Sequence, residues 1–181
     1  MSIVLITGSC GLVGSEATKF FCKKGFDVVG IDNNTRKKLF GNDGDTIWVK
    51  QKLKTNYKNY THYNTDIRSK NNLEKIFKKY KKSISLIIHC AAQPSHDWAY
   101  KNPRLDFEIN ALSTLNLLEL LKKYCLMSKF IHMSTNKVYG DNPNNLNFVE
   151  KKKRFDLKPS DKYFKGIDET YSLDRSTHSL F

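Results

Sequence analysis

The stretch Ile3-Val-Leu-Ile-Thr-Gly8-Ser-Cys-Gly11-Leu-Val-Gly14 decides the fold of this 181-residue chain. Its first five residues form an apolar run that predicts a buried β-strand, and the segment after the glycines has the period of a helix. Glycines suit such a turn because the chain bends sharply, its N–H groups approach a pyrophosphate, and the helix packs close to the strand. The stretch therefore predicts a strand, a turn and a helix that together bind a dinucleotide.

Apolar runs alternate with helix-period segments along the rest of the chain, which is typical of βαβ units in a parallel sheet. We predict strands at 3–7, 27–31, 61–63, 85–90 and 129–134, and helices at 12–24, 72–79 and 106–124. Residues 33–59 are polar and are predicted to be irregular. The sequence thus indicates an α/β fold, a Rossmann-type parallel sheet with helices on both faces.

Asp32 closes the second predicted strand, where a carboxylate accepts hydrogen bonds from the adenosine ribose. It would repel a 2′-phosphate and so favours NAD over NADP, although Arg36 and Lys37 weaken this preference. The alternative is that Asp32 merely caps a turn. Asp66 ends the third strand near the adenine, and small residues after the fourth strand let a cofactor lie against the backbone. The predicted cofactor-binding residues are Gly8, Cys10, Gly11, Leu12, Val13, Gly14, Asp32, Asn33, Arg36, Asp66, Ile67, Ala91, Ala92 and Gln93.

The predicted helix 106–124 is apolar on almost all of its faces. Its apolar residues are Ile109, Leu112, Leu115, Leu117, Leu118, Leu120 and Leu121. A helix of this kind packs against neighbours on two sides. The sheet supplies one neighbour, and the polar sequence after Asp141 supplies no second one. We therefore expect an exposed apolar patch and a tendency to associate.

The composition limits the classes of partner. The net charge of +13 includes the runs 78–82 and 151–154, which attract polyanions. A solvated, lysine-rich surface is the simpler interpretation, and nucleic-acid binding with Tyr57, Tyr60 and Tyr63 as stacking residues is the least favoured. No targeting segment precedes the first apolar run, and no apolar stretch approaches the ~20 residues of a membrane span, so we expect a cytoplasmic protein without membrane contact. Four widely separated cysteines predict reduced thiols and no metal site.

Two stretches that follow predicted strands carry a family resemblance: His89-Cys-Ala-Ala-Gln-Pro-Ser-His-Asp-Trp98 and Ser134-Thr-Asn-Lys-Val-Tyr-Gly-Asp141. They resemble the extended short-chain dehydrogenase/reductases that modify nucleotide sugars, the NAD-dependent epimerase/dehydratase family. The likeness is greatest to the CDP-paratose/CDP-tyvelose 2-epimerase group, and it extends to the segment around Asn110 and to 166–170. The resemblance implies NAD as cofactor, a CDP-sugar as substrate, and Asn110 and Ser134 on the cofactor side.

The resemblance also implies a mechanism. Thr135 would hydrogen-bond the sugar hydroxyl that is oxidised, and hydride would return to the other side of the transient ketone. A tyrosine would act as the base, with its pKa lowered by a lysine four residues later. Related dehydratases carry Asp-Glu after the threonine, whereas this chain has Asn136-Lys137, which favours epimerisation.

The catalytic Y-x-x-x-K pattern is absent from these 181 residues. The nearest forms, at Tyr100 and Tyr171, end in arginine, which does not substitute freely for lysine. By resemblance Phe181 stands at the tyrosine position. We therefore expect a chain truncated before the catalytic lysine, the sixth strand and the substrate lobe, with residues 1–141 forming the NAD-binding domain and 142–181 a partial substrate-side segment.

Such a chain alone would be catalytically incomplete. The alternatives are a non-catalytic NAD(H)-binding module, or half of a split enzyme completed by a C-terminal chain or in a homo-oligomer. The histidines give no catalytic signal, because His89 and His132 are predicted to be buried core residues. Ser95-His96-Asp97 is not a triad, because three consecutive residues cannot face one reacting centre.

Overall fold

A computed structural model describes residues 2–173 of the chain, apart from the side chains of residues 136 and 137. Phe181, placed by resemblance at the catalytic tyrosine position, lies outside the described residues. The chain divides into two compact units, Met1–Met133 and Ser134–Phe181. The predicted boundary at residue 141, between an NAD-binding domain and a substrate-side segment, stays a prediction.

The described part of the first unit is built on five parallel strands: β1 (Ile3–Thr7), β2 (Asp27–Ile31), β3 (Tyr60–Tyr63), β4 (Ile84–His89) and β5 (Lys129–His132). Their order across the sheet is β3-β2-β1-β4-β5, with Thr7 beside both Ile31 and His89. All strands point the same way, so their carboxyl ends meet at one edge of the sheet. The strand order reverses between β1 and β4, and the crevice at such a switch point is where open α/β sheets bind ligands.

Within residues 2–173, seven α-helices accompany the strands: α1 (Leu12–Lys23), α2 (Thr35–Phe40), α3 (Ile47–Asn56), α4 (Lys70–Tyr80), α5 (His96–Lys101), α6 (Pro103–Phe107) and α7 (Ser113–Tyr124). Two apolar clusters lie on opposite faces of the sheet. One contains Phe77 of α4 and Leu117 of α7, and the other contains Cys22 of α1 and Leu53 of α3. The predicted fold, a parallel sheet with helices on both faces, is confirmed.

The prediction that residues 33–59 are irregular is wrong. This region holds α2, a 3₁₀ turn at Gly41–Gly44, and α3. The Asn34 side chain links the start of α2 to the segment before α3. Its amide nitrogen donates to Asp45 Oδ1 at 2.8 Å, and its amide oxygen accepts from the Thr46 N–H at 3.0 Å. These bonds join residues about a dozen positions apart, so no local periodicity reveals them.

The predicted helix 106–124 begins earlier, as α6, and contains one π-helical turn at Glu108–Leu112 before α7. Directly after this turn, two side-chain hydroxyls hydrogen-bond carbonyls of the turn. Ser113 donates to the Ile109 carbonyl, and Thr114 donates to the Asn110 carbonyl at 2.8 Å. Such a turn widens the helix locally and re-aims its side chains. Here it lies beside the loop that follows β4.

The predicted apolar patch is present on this helical segment. Leu112, Leu115 and Leu118 are 42%, 52% and 42% exposed, whereas Leu117 and Leu120 are buried against the sheet. The spacing of three residues keeps the exposed leucines on one side of the helix. The expected tendency to associate stays a prediction.

The second unit contains a two-stranded antiparallel hairpin that the sequence did not predict, β6 (Phe148–Lys151) and β7 (Arg154–Leu157). Lys151 and Arg154 both contact the Asp156 carboxylate, at 2.9 and 2.8 Å. Short 3₁₀ turns at Asn136–Tyr139 and Asn142–Asn145 precede the hairpin.

Across residues 2–173, no helix has the length and apolarity needed to cross a membrane. The same residues contain no cluster of three His, Cys, Asp or Glu side chains placed to hold a metal ion. The four cysteines, which all fall within this range, are free thiols.

Candidate functional site

A continuous groove runs along the carboxyl edge of the sheet in the first unit. The turn after β1 and the segments after β2, β3 and β4 form its walls. Thirteen of the residues predicted for the cofactor line it: Gly8, Gly11, Leu12, Val13, Gly14, Asp32, Asn33, Arg36, Asp66, Ile67, Ala91, Ala92 and Gln93. Residues that are up to 85 positions apart in the chain therefore share one surface.

The glycine turn packs too tightly for side chains at two positions. Gly8 has φ +65°, and a Cβ there would lie 2.8 Å from the Ala91 nitrogen. A Cβ at Gly14 would lie 2.7 Å from the Gly8 carbonyl carbon and closer still to its oxygen. These contacts bring α1 against the end of β1, as the pattern of glycines predicts.

The N-terminus of α1 opens on the groove. The first hydrogen bond of its ladder is donated by the Ser15 N–H to the Gly11 carbonyl at 2.9 Å. The N–H groups of Leu12, Val13 and Gly14 therefore precede the ladder, at the positive end of the helix dipole. Such an end binds the oxygens of a phosphate or pyrophosphate.

Asp32 lines the groove next to the glycine turn and is held by two backbone amides. Its Oδ2 accepts from the Cys10 N–H at 3.0 Å, and its Oδ1 accepts from the Asn34 N–H at 2.8 Å. A carboxylate has about four acceptor positions, so it retains capacity for ribose hydroxyls. Cys10 was predicted to bind the cofactor, but its thiol is buried and burial raises its pKa to about 11. Its contribution in the structure is the N–H that positions Asp32.

An ion pair forms the wall after β3. Arg68 lines the groove with Asp66, and its Nη2 lies 2.7 Å from Asp66 Oδ2. The hydrogen bonds from Arg68 lower the pKa of Asp66, so the carboxylate stays charged. Arg68 was not predicted, although its position two residues after Asp66 is a signal that could have suggested it.

A cluster of buried and half-buried side chains, two amides and one carboxylate, fixes the loop after β4. The Gln93 N–H donates to Asn110 Oδ1 at 2.8 Å, and the Asn110 amide donates to the Gln93 carbonyl at 3.1 Å. Both side-chain amides also donate to Asp106 Oδ1. Asn110, predicted to bind the cofactor, does not line the groove but hydrogen-bonds Gln93, which does. Its place on the cofactor side stays a prediction. Asp106 was not predicted, because only the fold brings it to Gln93.

His89 lies behind the groove in a chain of hydrogen bonds. The Thr114 hydroxyl donates its proton to the Asn110 carbonyl, so the same oxygen accepts a hydrogen bond from His89 Nε2 at 2.9 Å. On the other side of the ring, the Thr7 hydroxyl lies 2.7 Å from His89 Nδ1. This order assigns the neutral Nε2–H tautomer. Burial, with a smaller contribution from His132, lowers the pKa of His89 to about 4.

The prediction of a buried core histidine is thus confirmed at His89. At His132 it is wrong: within the described residues β5 pairs only with β4, and its last residue is exposed.

The groove can be compared with known proteins. The sequence model of the NAD dependent epimerase/dehydratase family matches residues 4–164. The chain belongs to this family. The match includes all the residues that line the groove.

Individual members of the family resemble the chain over part of their length. The CDP-paratose 2-epimerase of Salmonella typhi is 37% identical over 138 residues, covering 76% of this chain and 38% of that relative. The structure of the UDP-glucose 4-epimerase of Thermus thermophilus, a complex with NAD, is 29% identical with a TM-score of 0.62, covering 82% of this chain and 42% of that one. The UDP-glucose 4-epimerase of Thermotoga maritima, solved with UDP-glucose, is 28% identical with a TM-score of 0.61, covering 77% and 40%. This chain thus spans about two fifths of the length of these epimerases.

The second unit holds the other residues that the resemblance to this epimerase/dehydratase family implied. Ser134 and Thr135 follow β5 and are exposed. Their roles beside the cofactor and the sugar stay predictions.

The groove also contains residues that sequence reasoning missed. Thr35, Leu39 and Phe40 of α2 line it, and Thr46 lies beside them. The Arg36 guanidinium stands 5.1 Å from the centre of the Phe40 ring. The sequence does not indicate them, because the polar segment after Asp32 predicts an irregular stretch, and only a helix brings both Arg36 and Phe40 to the groove.

Proposed function

We propose that this chain binds NAD(H) in the groove and is the dinucleotide-binding part of a nucleotide-sugar epimerase. The observation that carries the proposal is that two features line the same groove. The N-terminus of α1 presents backbone N–H groups there, and the Asp32 carboxylate is fixed by the Cys10 and Asn34 amides. Together they match the pyrophosphate and the adenosine ribose of a dinucleotide.

The residues present fit this cofactor. Leu12, Val13 and Gly14 would hold the pyrophosphate with their N–H groups, and Asp32 would accept from the ribose hydroxyls. The close approach of Gly8 to Ala91 leaves no side chain between the glycine turn and the loop after β4. Apolar residues at Leu39, Phe40 and Ile67 offer a surface for the adenine. NAD supplies the acceptor and donor of hydride in chemistry of this family.

The finer proposal is epimerisation at carbon 2 of a CDP-sugar by the whole protein. It is supported by the motif that begins at Ser134 and by the likeness to the Salmonella typhi CDP-paratose 2-epimerase. In this scheme Thr135 orients the sugar hydroxyl for oxidation. The Asn136-Lys137 pair lacks the acid that would protonate a leaving hydroxyl, so no water is eliminated. Hydride returned to the other side of the transient ketone would then invert the centre.

The first test is the affinity for NAD(H), measured by calorimetry on the purified chain and on Asp32→Ala. Loss of a hydrogen-bonding carboxylate is expected to weaken NAD binding roughly tenfold to a hundredfold. NADP should bind the unaltered chain more weakly than NAD, because its 2′-phosphate meets the Asp32 charge.

Asp43→Ala is the matched control, since it removes an exposed acid that does not line the groove. It is expected to bind NAD as the unaltered chain does. Equal NAD affinity in Asp32→Ala and the unaltered chain would exclude this groove as the cofactor site.

A second candidate is a non-catalytic NAD(H)-binding module, since the groove itself requires only that a dinucleotide is bound. A substrate assay separates the two. For the enzyme we expect a CDP-sugar to give NADH fluorescence or an epimerised product when a chain carrying the family lysine is added. Thr135→Val should abolish the signal while NAD affinity is kept. NAD binding with no turnover under any complementation would support the module.

A further inference from the structure

A chain of three hydrogen-bonded side chains lies beside the glycine turn. The Ser9 Oγ lies 2.9 Å from the Tyr60 hydroxyl, and the same hydroxyl lies 2.9 Å from His62 Nδ1. Ser9 and Tyr60 are buried, and His62 is half-buried. None of the three is among the residues that line the groove, so the role proposed for the groove leaves these contacts without a function.

The contacts cross the middle of three neighbouring strands at Gly30. Tyr60 begins β3, Gly30 lies in β2, and Ser9 follows β1. A Cβ at Gly30 would overlap the Tyr60 hydroxyl and would lie 2.6 Å from Ser9 Oγ. The absence of a side chain at Gly30 is therefore what lets the Tyr60 hydroxyl reach Ser9.

Both ends of this chain reach segments that hold Asp32. At one end, Ser9 precedes Cys10, whose N–H donates to Asp32 Oδ2 at 3.0 Å. At the other end, the His62 ring hydrogen-bonds the Asp32 backbone. The Asp32 N–H donates to the Tyr63 carbonyl at 3.1 Å, so the His62 ring donates to the Asp32 carbonyl. The contacts thus form a closed circuit through the Asp32 side chain and backbone.

The protons of this circuit have one order at neutral pH. Burial raises the pKa of Tyr60, so its hydroxyl keeps its proton. Burial also lowers the pKa of His62, so the ring is neutral and has one donor and one acceptor. Because the donor serves the Asp32 carbonyl, Nδ1 accepts from the Tyr60 hydroxyl. The Tyr60 oxygen in turn accepts from the Ser9 hydroxyl.

We propose that Tyr60 and His62 are positioning residues for the dinucleotide site, which they hold in its binding arrangement while His62 is neutral. The inference rests on dinucleotide binding in the groove. Tyr60 acts through Ser9 on the turn that carries the Cys10 N–H, and His62 acts on the Asp32 backbone.

Protonation of His62 would break this order. With a proton on Nδ1 the ring becomes a donor there, and the Tyr60 hydroxyl has to turn its own proton toward Ser9. The acceptor that the structure then offers the Ser9 hydroxyl is Cys10 Sγ, at 3.9 Å, and sulfur is a weak acceptor. A buried hydroxyl without a good acceptor is unfavourable. The binding arrangement should therefore weaken as the pH falls below about 6.5, the ordinary value for histidine.

The charges that act on His62 come from the end of β2 and from α3. Asp32 favours the protonated ring, whereas Lys50 and Lys54 disfavour it. The neighbouring Cys10 thiol stays protonated, because burial raises its pKa to about 11. Among these groups, His62 is the one that takes up a proton just below neutral pH.

The test measures NAD affinity by calorimetry between about pH 8 and about pH 5. The affinity of the unaltered chain is expected to fall roughly fivefold to tenfold across this range. Tyr60→Phe removes the hydroxyl and keeps the ring, so it should bind NAD roughly tenfold more weakly at the higher pH and show a flat pH profile. His62→Asn places an amide oxygen near the position of Nδ1. It should keep the affinity of the unaltered chain at the higher pH, with a flat profile.

Tyr63→Phe is the matched control, because it removes a hydroxyl from the same strand that contacts Tyr80 at 2.9 Å. Its pH profile should follow that of the unaltered chain. Ser9→Ala removes the other hydroxyl of the circuit and should reproduce the flat profile. It takes the place of Tyr60→Phe if thermal unfolding shows that this variant is not folded. His89 stays neutral in this range, because burial lowers its pKa to about 4.

The outcomes separate this inference from the function on which it rests. If the unaltered chain binds no NAD at any pH, the proposed function fails, and the inference fails with it. If it binds NAD and Tyr60→Phe keeps both the affinity and the pH profile, the positioning role is overturned and the proposed function stands. Weaker binding by Tyr60→Phe with an unchanged profile would also overturn it, because His62 would then act on the cofactor directly through its charge.

Discussion

Replacing Gly14 with alanine is expected to destabilise the protein by about 3 kcal/mol and to abolish NAD binding. The added Cβ would lie 2.7 Å from the Gly8 carbonyl carbon and 3.1 Å from the Ser9 Cα. Both neighbours are backbone atoms, which cannot rotate away. Helix propensity alone predicts the opposite sign, because alanine in a helix is favoured over glycine by about 1 kcal/mol.

Thermal unfolding measures this effect, with an expected fall in Tm of roughly 6–12 °C for a chain of this size. Gly11→Ala is the control within the same turn. A Cβ at Gly11 would meet only the Gly8 oxygen, at 3.3 Å, and Gly11 has φ −73°. This variant should keep its Tm within a few degrees but lose NAD affinity, because its methyl group stands at the N-terminus of α1 in the groove. A Tm for Gly14→Ala equal to that of the unaltered chain would contradict the close packing of helix and turn.

The free energy of unfolding is expected to fall by roughly 3 kcal/mol between about pH 6.5 and pH 4 on account of His89 alone. The pKa of His89 is lowered from 6.5 to about 4 by burial, with a further contribution from His132. Between these values the unfolded chain binds a proton that the folded chain rejects. Stability is therefore complete above about pH 6.5 and decreases as the pH falls toward 4.

Urea unfolding at about pH 7.5 and about pH 4.5 tests this prediction on the unaltered chain and on His89→Gln. The variant loses the bonds to Thr7 and Thr114 and should be less stable at the higher pH, but its stability should change less between the two pH values. His96→Gln, which alters an exposed histidine, should follow the unaltered chain. An equal loss of stability in all three proteins would show that His89 is not the titrating group.

The sequence predicted the framework correctly where the signal was local. The bounds of β1 and β2 agree with the structure, because each is a short apolar run that ends at a glycine turn or an acid. The family was also correctly identified from the motifs. The sequence does not indicate α3, because this helix buries Leu53 and little else, and its hydrophobic pattern is therefore weak.

The sequence by itself determined the parallel strands of a dinucleotide-binding sheet, the glycine turn and the acid that follows the second strand. Those features depend on residues close together in the chain. Only the tertiary structure decided that Asn110 hydrogen-bonds Gln93, and that His132 is exposed at the end of β5 in the described part of the chain. These placements depend on contacts between segments distant in sequence, whose geometry is set by the packing of helices on the sheet and leaves no periodic trace in the residues themselves.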